Sequence, residues 1–192
     1  MWFFVYDCGR RSYWKQKMNQ WFEGVKVFKS FPDIKERVGK LGEQITQEYW
    51  GEELVVIGIL KGSFIFLADL TRAIELPLAV DFIGLASYEG TESTGVVRIT
   101  SDLADSIEGK HVLVVEDIVD TGLTMDFLLK NLRTQRPASL KVCSLLYKPD
   151  RNIVPVEIDY LGFEIPDEFL VGYGLDFDGK YRNLPFLGTL DE

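Results

Sequence analysis

The chain has 192 residues, with 21 Lys and Arg against 30 Asp and Glu, and a formal net charge of -9. Its length and ordinary apolar content fit one globular domain with a sizeable core. The acidic balance argues against a nucleic-acid partner, no apolar stretch approaches membrane-spanning length, and two cysteines (Cys8, Cys143) without a CxxC pair suit a reducing, cytoplasmic setting.

Met1–Lys29 shows no clear hydrophobic period and no secretory h-region, and it carries Trp2, Trp14 and Trp21, which can pack on the domain or on a partner chain. Residues 1–29 are read as an N-terminal extension of unknown role, with Met18 as a candidate natural start, and residues 30–192 as the domain. The first confident helix is Ser30–Trp50. Ser30 and Asp33 approximate a capping box, Pro32 lies in the first turn, and Ile34, Val38, Leu41, Ile45 and Tyr49 form one apolar stripe. A strand over Leu54–Leu60, a Lys61-Gly62-Ser63 turn and a helix over Phe64–Ile74 follow. Leu78–Leu85 reads as a strand, Ser87–Gly95 as a polar loop, and Val96–Thr100 as a return strand. Further strands are expected at Val112–Val115, Leu140–Tyr147 and Val156–Gly162, with a helix carrying Met125, Leu128, Leu129 and Leu132 between the first two. From Phe163 to Leu190 the segments are short and rich in Gly, Pro and aromatics. Strands alternating with helices predict an α/β fold around a mainly parallel sheet.

The stretch HVLVVEDIVDTGLTMDFLLKNL, His111–Leu132, organises the rest. A buried strand runs into two carboxylates, Glu116 and Asp117, then into the turn Asp120-Thr121-Gly122-Leu123-Thr124 and a helix. Free N–H groups at the turn and helix start favour an anion, Gly122 permits close approach of the backbone, and Thr121 and Thr124 add hydroxyl donors. Glu116 and Asp117 would repel a phosphate but suit a vicinal diol, whose O–H groups donate to fixed anions. Together these parts predict a ribose 5-phosphate pocket. Lys61-Gly62-Ser63 also joins a strand to a helix and offers backbone N–H groups plus a cation, as a pyrophosphate requires. Ser87–Gly95 is either a mobile hairpin tip or a lid that keeps water from a reacting sugar carbon. His111, the sole histidine, precedes a buried strand and is read as structural.

VVEDIVDTGLT closely resembles the phosphoribosyl-pyrophosphate motif of the type I phosphoribosyltransferases, most of all their hypoxanthine/guanine branch. The likeness runs from Phe31 to Leu190 with each main motif in order. It implies a mainly parallel twisted sheet flanked by helices and a small hood subdomain built from the C-terminal segment. It places a pyrophosphate loop on Leu60-Lys61-Gly62-Ser63 and a flexible catalytic loop at Ser87-Tyr88. Lys148 would donate to the purine O6, Phe169 would stack on the base, and main-chain groups at Leu170 would read the purine edge. Asp176, beside the purine, is the implied metal ligand, and Arg182 a pyrophosphate contact. Leu123 occupies a phosphate-loop position where some relatives carry Lys, so one charge contact is absent, and packing under the helix is its alternative role.

The implied reaction is transfer of the 5-phosphoribosyl group from phosphoribosyl pyrophosphate to N9 of hypoxanthine or guanine, a step of purine salvage. Magnesium is the expected cofactor, near Glu116, Asp117 and Asp176 and largely through substrate oxygens and water. Asp120 is either the base for the purine N7 proton or the helix N-cap, or both. A homodimer or homotetramer is expected. The rival readings are a transferase for xanthine or a pyrimidine, a non-catalytic sensor of phosphoribosyl pyrophosphate, and a mononucleotide-binding module without chemistry.

Overall fold

The structure, a computed structural model, describes residues 24–87 and 97–190. Six strands form the main sheet: β2 (Leu54–Leu60), β3 (Leu78–Ser87), β4 (Val97–Ser101), β5 (His111–Val119), β6 (Ser139–Tyr147) and β7 (Tyr160–Glu164). Their spatial order is β4-β3-β2-β5-β6-β7, parallel throughout except for β4, the antiparallel return strand at one edge. The α/β expectation and the mainly parallel sheet are both met.

Why these residues form this sheet is visible in their alternation. Leu54 and Val56 of β2 join Leu113 and Val115 of β5 in one core, on the side of helices α1 (Phe31–Glu48) and α2 (Phe64–Ala73). Val55, Ile57 and Ile59 join Val112 and Val114 in a second core under helix α3 (Leu123–Thr134). A strand buried on both faces needs both registers apolar, which is what a continuous Val/Ile/Leu run supplies. The five stripe residues from Ile34 to Tyr49 are all buried, and Ser30 and Asp33 close a reciprocal capping box.

Three boundaries differ clearly from expectation. Strand β5 runs on past Val115 to Val119, so Glu116 and Asp117 lie within it and not after it. Val25–Lys29, placed by the sequence in the extension, forms strand β1 of a second, antiparallel sheet. That sheet has the order β1-β9-β8, with β8 at Leu170–Val171 and β9 at Leu187–Leu190, and it is the small hood. The strand expected at Val156–Gly162 begins only at Tyr160, because the Asp159 carboxylate takes the Val142 N–H at 2.8 Å and replaces a ladder bond there. Ser87 ends β3, and the remainder of the proposed lid, Tyr88 onward, lies outside the described residues, as do Cys8 and most of the extension. Among the described residues no helix is long and apolar enough to cross a membrane.

The chain leaves β2 toward β3 on one side and β5 toward β6 on the other. The C-terminal ends of the adjacent strands β2 and β5 therefore mark the point where strand order reverses. Open parallel sheets bind ligands in the crevice at that point.

Candidate active site

A cavity of about 440 Å³ opens there. Its floor is the end of β5 and the following turn, from Glu116 to Gly122, with Thr124. One wall is Lys61-Gly62 at the end of β2; the other is Lys148, Phe169, Leu170, Asp176 and Arg182. The two turns expected to hold phosphates and the residues expected to read the base, far apart in sequence, line one cavity.

Gly122 has φ +82, a left-handed conformation that glycine adopts without steric cost, and it directly precedes the first residue of α3. A Cβ there would meet the Val154 carbonyl oxygen at 2.1 Å. This settles the capping question: the N-cap of α3 is Gly122, not Asp120. Asp120 instead faces the Arg151 guanidinium, with Nε at 2.9 Å from Oδ1, and that oxygen has no aligned hydrogen bond. The carboxylate is thus charge-paired yet keeps acceptor capacity. Leu123 does not pack under the helix; it is 41% exposed and does not line the cavity.

The second turn is welded to the first. A Cβ on Gly62 would lie 1.8 Å from Asp117 Oδ2, so only a glycine lets the Asp117 carboxylate rest against the β2–α2 turn. The Leu60–Lys61 peptide is cis, and Lys61 is exposed at the cavity. Ser63 is fully buried, its hydroxyl donates to the Ile59 carbonyl at 2.6 Å, and it does not line the cavity; the expectation for it concerned its backbone N–H, which that hydroxyl bond leaves untouched. Its side chain ties off the turn and is not available to a ligand.

Glu116 and Asp117 are both almost fully buried. Glu116 Oε1 accepts the Asp117 N–H at 3.2 Å. Burial, and then the adjoining Asp117 carboxyl, push the Glu116 pKa well above the usual carboxylate range. A carboxyl held toward its neutral form can both donate to and accept from sugar hydroxyls.

The far wall belongs to the hood and the strand ends beside it. Lys148 is nearly buried, and its ammonium donates to Asp167 Oδ1 at 3.1 Å. Phe169 is 59% exposed, which excludes the alternative of an ordinary core phenylalanine; its ring meets Phe177 edge-on at 5.8 Å between centroids. Arg182 reaches Asp176 Oδ1 at 2.6 Å and donates to the Gly174 carbonyl at 2.6 Å, while Asp176 Oδ2 accepts the Gly179 N–H. Both Asp176 oxygens therefore already have partners. Among the described residues no three His, Cys, Asp or Glu side chains converge as a metal cage.

Some of the surroundings carry no sequence signal. Leu85, Ile118 and Met125 line the cavity but read as core. Arg151 and Asp167 read as surface charges, and only the fold brings them to Asp120 and Lys148. His111 lies outside the cavity lining, with Nδ1 2.8 Å from the Ser139 hydroxyl, in keeping with a structural role.

Residues 24–178 match the phosphoribosyl transferase domain model. A hypoxanthine-guanine phosphoribosyltransferase of Mycobacterium avium is 50% identical over 165 residues, covering 82% of this chain and 81% of that protein. A crystal structure of a hypoxanthine-guanine phosphoribosyltransferase from Bacillus anthracis superposes with TM-score 0.83 at 48% identity, covering 86% of this chain and 98% of the other. That of a hypoxanthine phosphoribosyltransferase from Staphylococcus aureus gives 0.86 at 45%, covering 90% and 95%. The chain belongs to the phosphoribosyltransferase family, on its hypoxanthine-guanine branch.

Proposed function

We propose that this enzyme joins hypoxanthine or guanine to the 5-phosphoribosyl group of phosphoribosyl pyrophosphate, with each residue acting as follows. The 5-phosphate is held by the N–H groups and hydroxyls of Asp120–Thr124, at the start of α3. Glu116 and Asp117 take the 2′- and 3′-hydroxyls. Lys61, Gly62 and Arg182 receive the pyrophosphate. Phe169 stacks on the base, Leu170 reads its edge through the main chain, and Lys148 donates to O6. An ammonium has donors only, so it favours a 6-oxo group over the 6-amino group of adenine. The observation that carries this reading is the approach of Asp117 to Gly62, which puts the diol acids directly beside the pyrophosphate turn.

In the reaction the purine N9 bonds to C1′ as the bond from C1′ to the pyrophosphate oxygen breaks, and that oxygen leaves with the electron pair. The proton released by the purine passes to Asp120, which lines the cavity. Lys61 and Arg182 stabilise charge growing on the leaving group. A magnesium ion suits the hard oxygen donors Glu116, Asp117 and Asp176, and bound there with substrate oxygens and water it would neutralise the pyrophosphate. Ser87-Tyr88 would close over the sugar and exclude water. The enzyme is expected to work in the cytoplasm as a homodimer or homotetramer.

The test is an assay of pyrophosphate release with magnesium and phosphoribosyl pyrophosphate, each nucleobase being offered in turn. Release with hypoxanthine and guanine is expected. Release only with xanthine or a pyrimidine would reassign the base, and none with any base would leave a sensing role. Light scattering of the purified protein gives the subunit number.

A further inference from the structure

Between the proposed proton acceptor and the proposed O6 reader runs a continuous chain of charge. Arg151 Nε lies 2.9 Å from Asp120 Oδ1, and Arg151 Nη1 lies 3.5 Å from Asp167 Oδ2. Asp167 Oδ1 in turn accepts from the Lys148 ammonium at 3.1 Å. Four side chains from three segments form one bridge along the base end of the cavity, and two of them have no role in the reaction as described above.

We propose that Arg151 and Asp167 are positioning residues for the purine: their bridge fixes Asp120 and Lys148 relative to each other and so sets discrimination between 6-oxo and 6-amino bases. The inference rests on the assignments of Asp120 and Lys148 made under the proposed function.

Three features support it. First, Lys148 is a four-carbon stem ending in a nearly buried ammonium, and among the described residues its salt-bridge partner is Asp167 alone. One of its three donors is spent on that carboxylate, which aims the other two. Without Asp167 the ammonium would lose both its counter-ion and its direction. Second, one guanidinium faces both carboxylates, 2.9 Å from Asp120 and 3.5 Å from Asp167, and its charge is spread over a rigid plane that can serve two acids at once, which a lysine's point charge does less well. Third, the backbone that carries the fork is itself held to the phosphate turn. Arg151 closes a 3-10 turn at Pro149–Arg151, its N–H donating to the Lys148 carbonyl at 3.2 Å. The Lys148 N–H donates to Val119 at 3.0 Å, and the N–H groups of Ile153 and Val154 both reach the Thr121 carbonyl, at 2.9 and 3.0 Å. A bridge mounted on so constrained a loop transmits position and not merely charge.

Arg151 and Asp167 are each about half exposed at the side chain, so Arg151→Gln and the isosteric Asp167→Asn are compatible with folding. Each variant is expected to raise KM for hypoxanthine about tenfold and to lower the hypoxanthine-over-adenine ratio of kcat/KM by a similar factor, with KM for phosphoribosyl pyrophosphate within about twofold of wild type. Arg151→Lys, which keeps the charge but not the fork, should fall between wild type and Arg151→Gln. Calorimetric binding of IMP and AMP supplies a readout that does not depend on turnover, and preference for IMP should fall in the same order. If KM values for both substrates move together, or if base preference stays at the wild-type value in variants with wild-type Tm, the bridge is only structural and the inference is overturned. A wild-type protein that binds neither nucleotide would instead overturn the phosphoribosyl-transfer reading beneath it.

Discussion

The two ends of the cavity are built in opposite ways. At the phosphate end, strand, acids, turn and helix follow one another within Val112–Leu132, so a single contiguous stretch carries the proposed diol site, anion site and proton acceptor. At the base end, Lys148, Arg151, Asp167, Phe169, Asp176 and Arg182 come from scattered turns and short strands, held in place by the hood and by side-chain charge pairs. A site made of backbone amides inherits its geometry from secondary structure. A site made of long side chains must be braced by other side chains, and those braces are targets for tuning specificity without disturbing phosphate binding.

The sharpest way to break this contrast is at Asp120, which belongs to both ends. Asp120→Asn preserves shape and removes the proposed proton acceptor. Turnover should fall by about 10²- to 10⁴-fold, with a far smaller rise in KM for phosphoribosyl pyrophosphate. Steady-state kinetics decide it, and an unchanged kcat would remove the base assignment.

Next comes the seam between the two anion turns. In Gly62→Ala the new methyl would lie 1.8 Å from the Asp117 carboxylate, so one of the two must move. A displacement of about 1 Å at a reacting centre costs about a hundredfold, and kcat/KM for phosphoribosyl pyrophosphate should drop by that order. Gly39→Ala, where a Cβ meets nothing within 4 Å, is the matched control and should leave kinetics unaltered.

At the base end, Lys148→Gln tests O6 reading directly. Preference for hypoxanthine over adenine should shrink by about tenfold, because an amide can donate or accept and no longer rejects the amino group. A preference equal to wild type would show that Lys148 does not read the base.

The contrast between the ends also explains what could be read from the chain. Helix and strand positions were legible because burial on one stripe or on both sheet faces leaves a pattern in the order of residues, as in Ile34–Tyr49 and Leu54–Leu60. The phosphate turn was legible because it is local. Strand β1 was not, since an edge strand of alternating Val and Lys, with Val27 half exposed, carries little hydrophobic signal and is specified by pairing with β9, over 150 residues away. The inward turn of the Ser63 hydroxyl was not legible either: a serine at a turn donates outward or inward to a carbonyl, and only the position of Ile59 decides. Arg151 and Asp167 are ordinary surface charges until the fold sets them beside buried partners.

The smallest expected effect concerns the acids themselves. The Glu116 carboxyl is pushed up by burial and by Asp117, so the folded state favours its neutral form more than the unfolded chain does. The sign follows from linkage. Such a group contributes stability that is present below the ordinary glutamate range and is lost as pH rises toward and through its raised folded value. At pH 8 the ligand-free fold therefore carries an ionisation it resists, and Glu116→Gln, which keeps the acceptor for the Asp117 N–H, relieves it. The variant should melt roughly 2–4 °C above wild type at pH 8, about what 1 kcal/mol is worth in a domain of this size. The gain should shrink as pH falls toward the ordinary glutamate range. Thermal denaturation across pH 5–8 without magnesium or substrate measures it. A gain independent of pH would mean that packing, not charge, sets the difference, and a loss at pH 8 would mean that the ionised pair is stabilised where it stands. Either result would change how the proposed diol site is understood: not as an acid held toward its neutral form, ready to exchange hydrogen bonds with two hydroxyls, but as two fixed anions awaiting a cation.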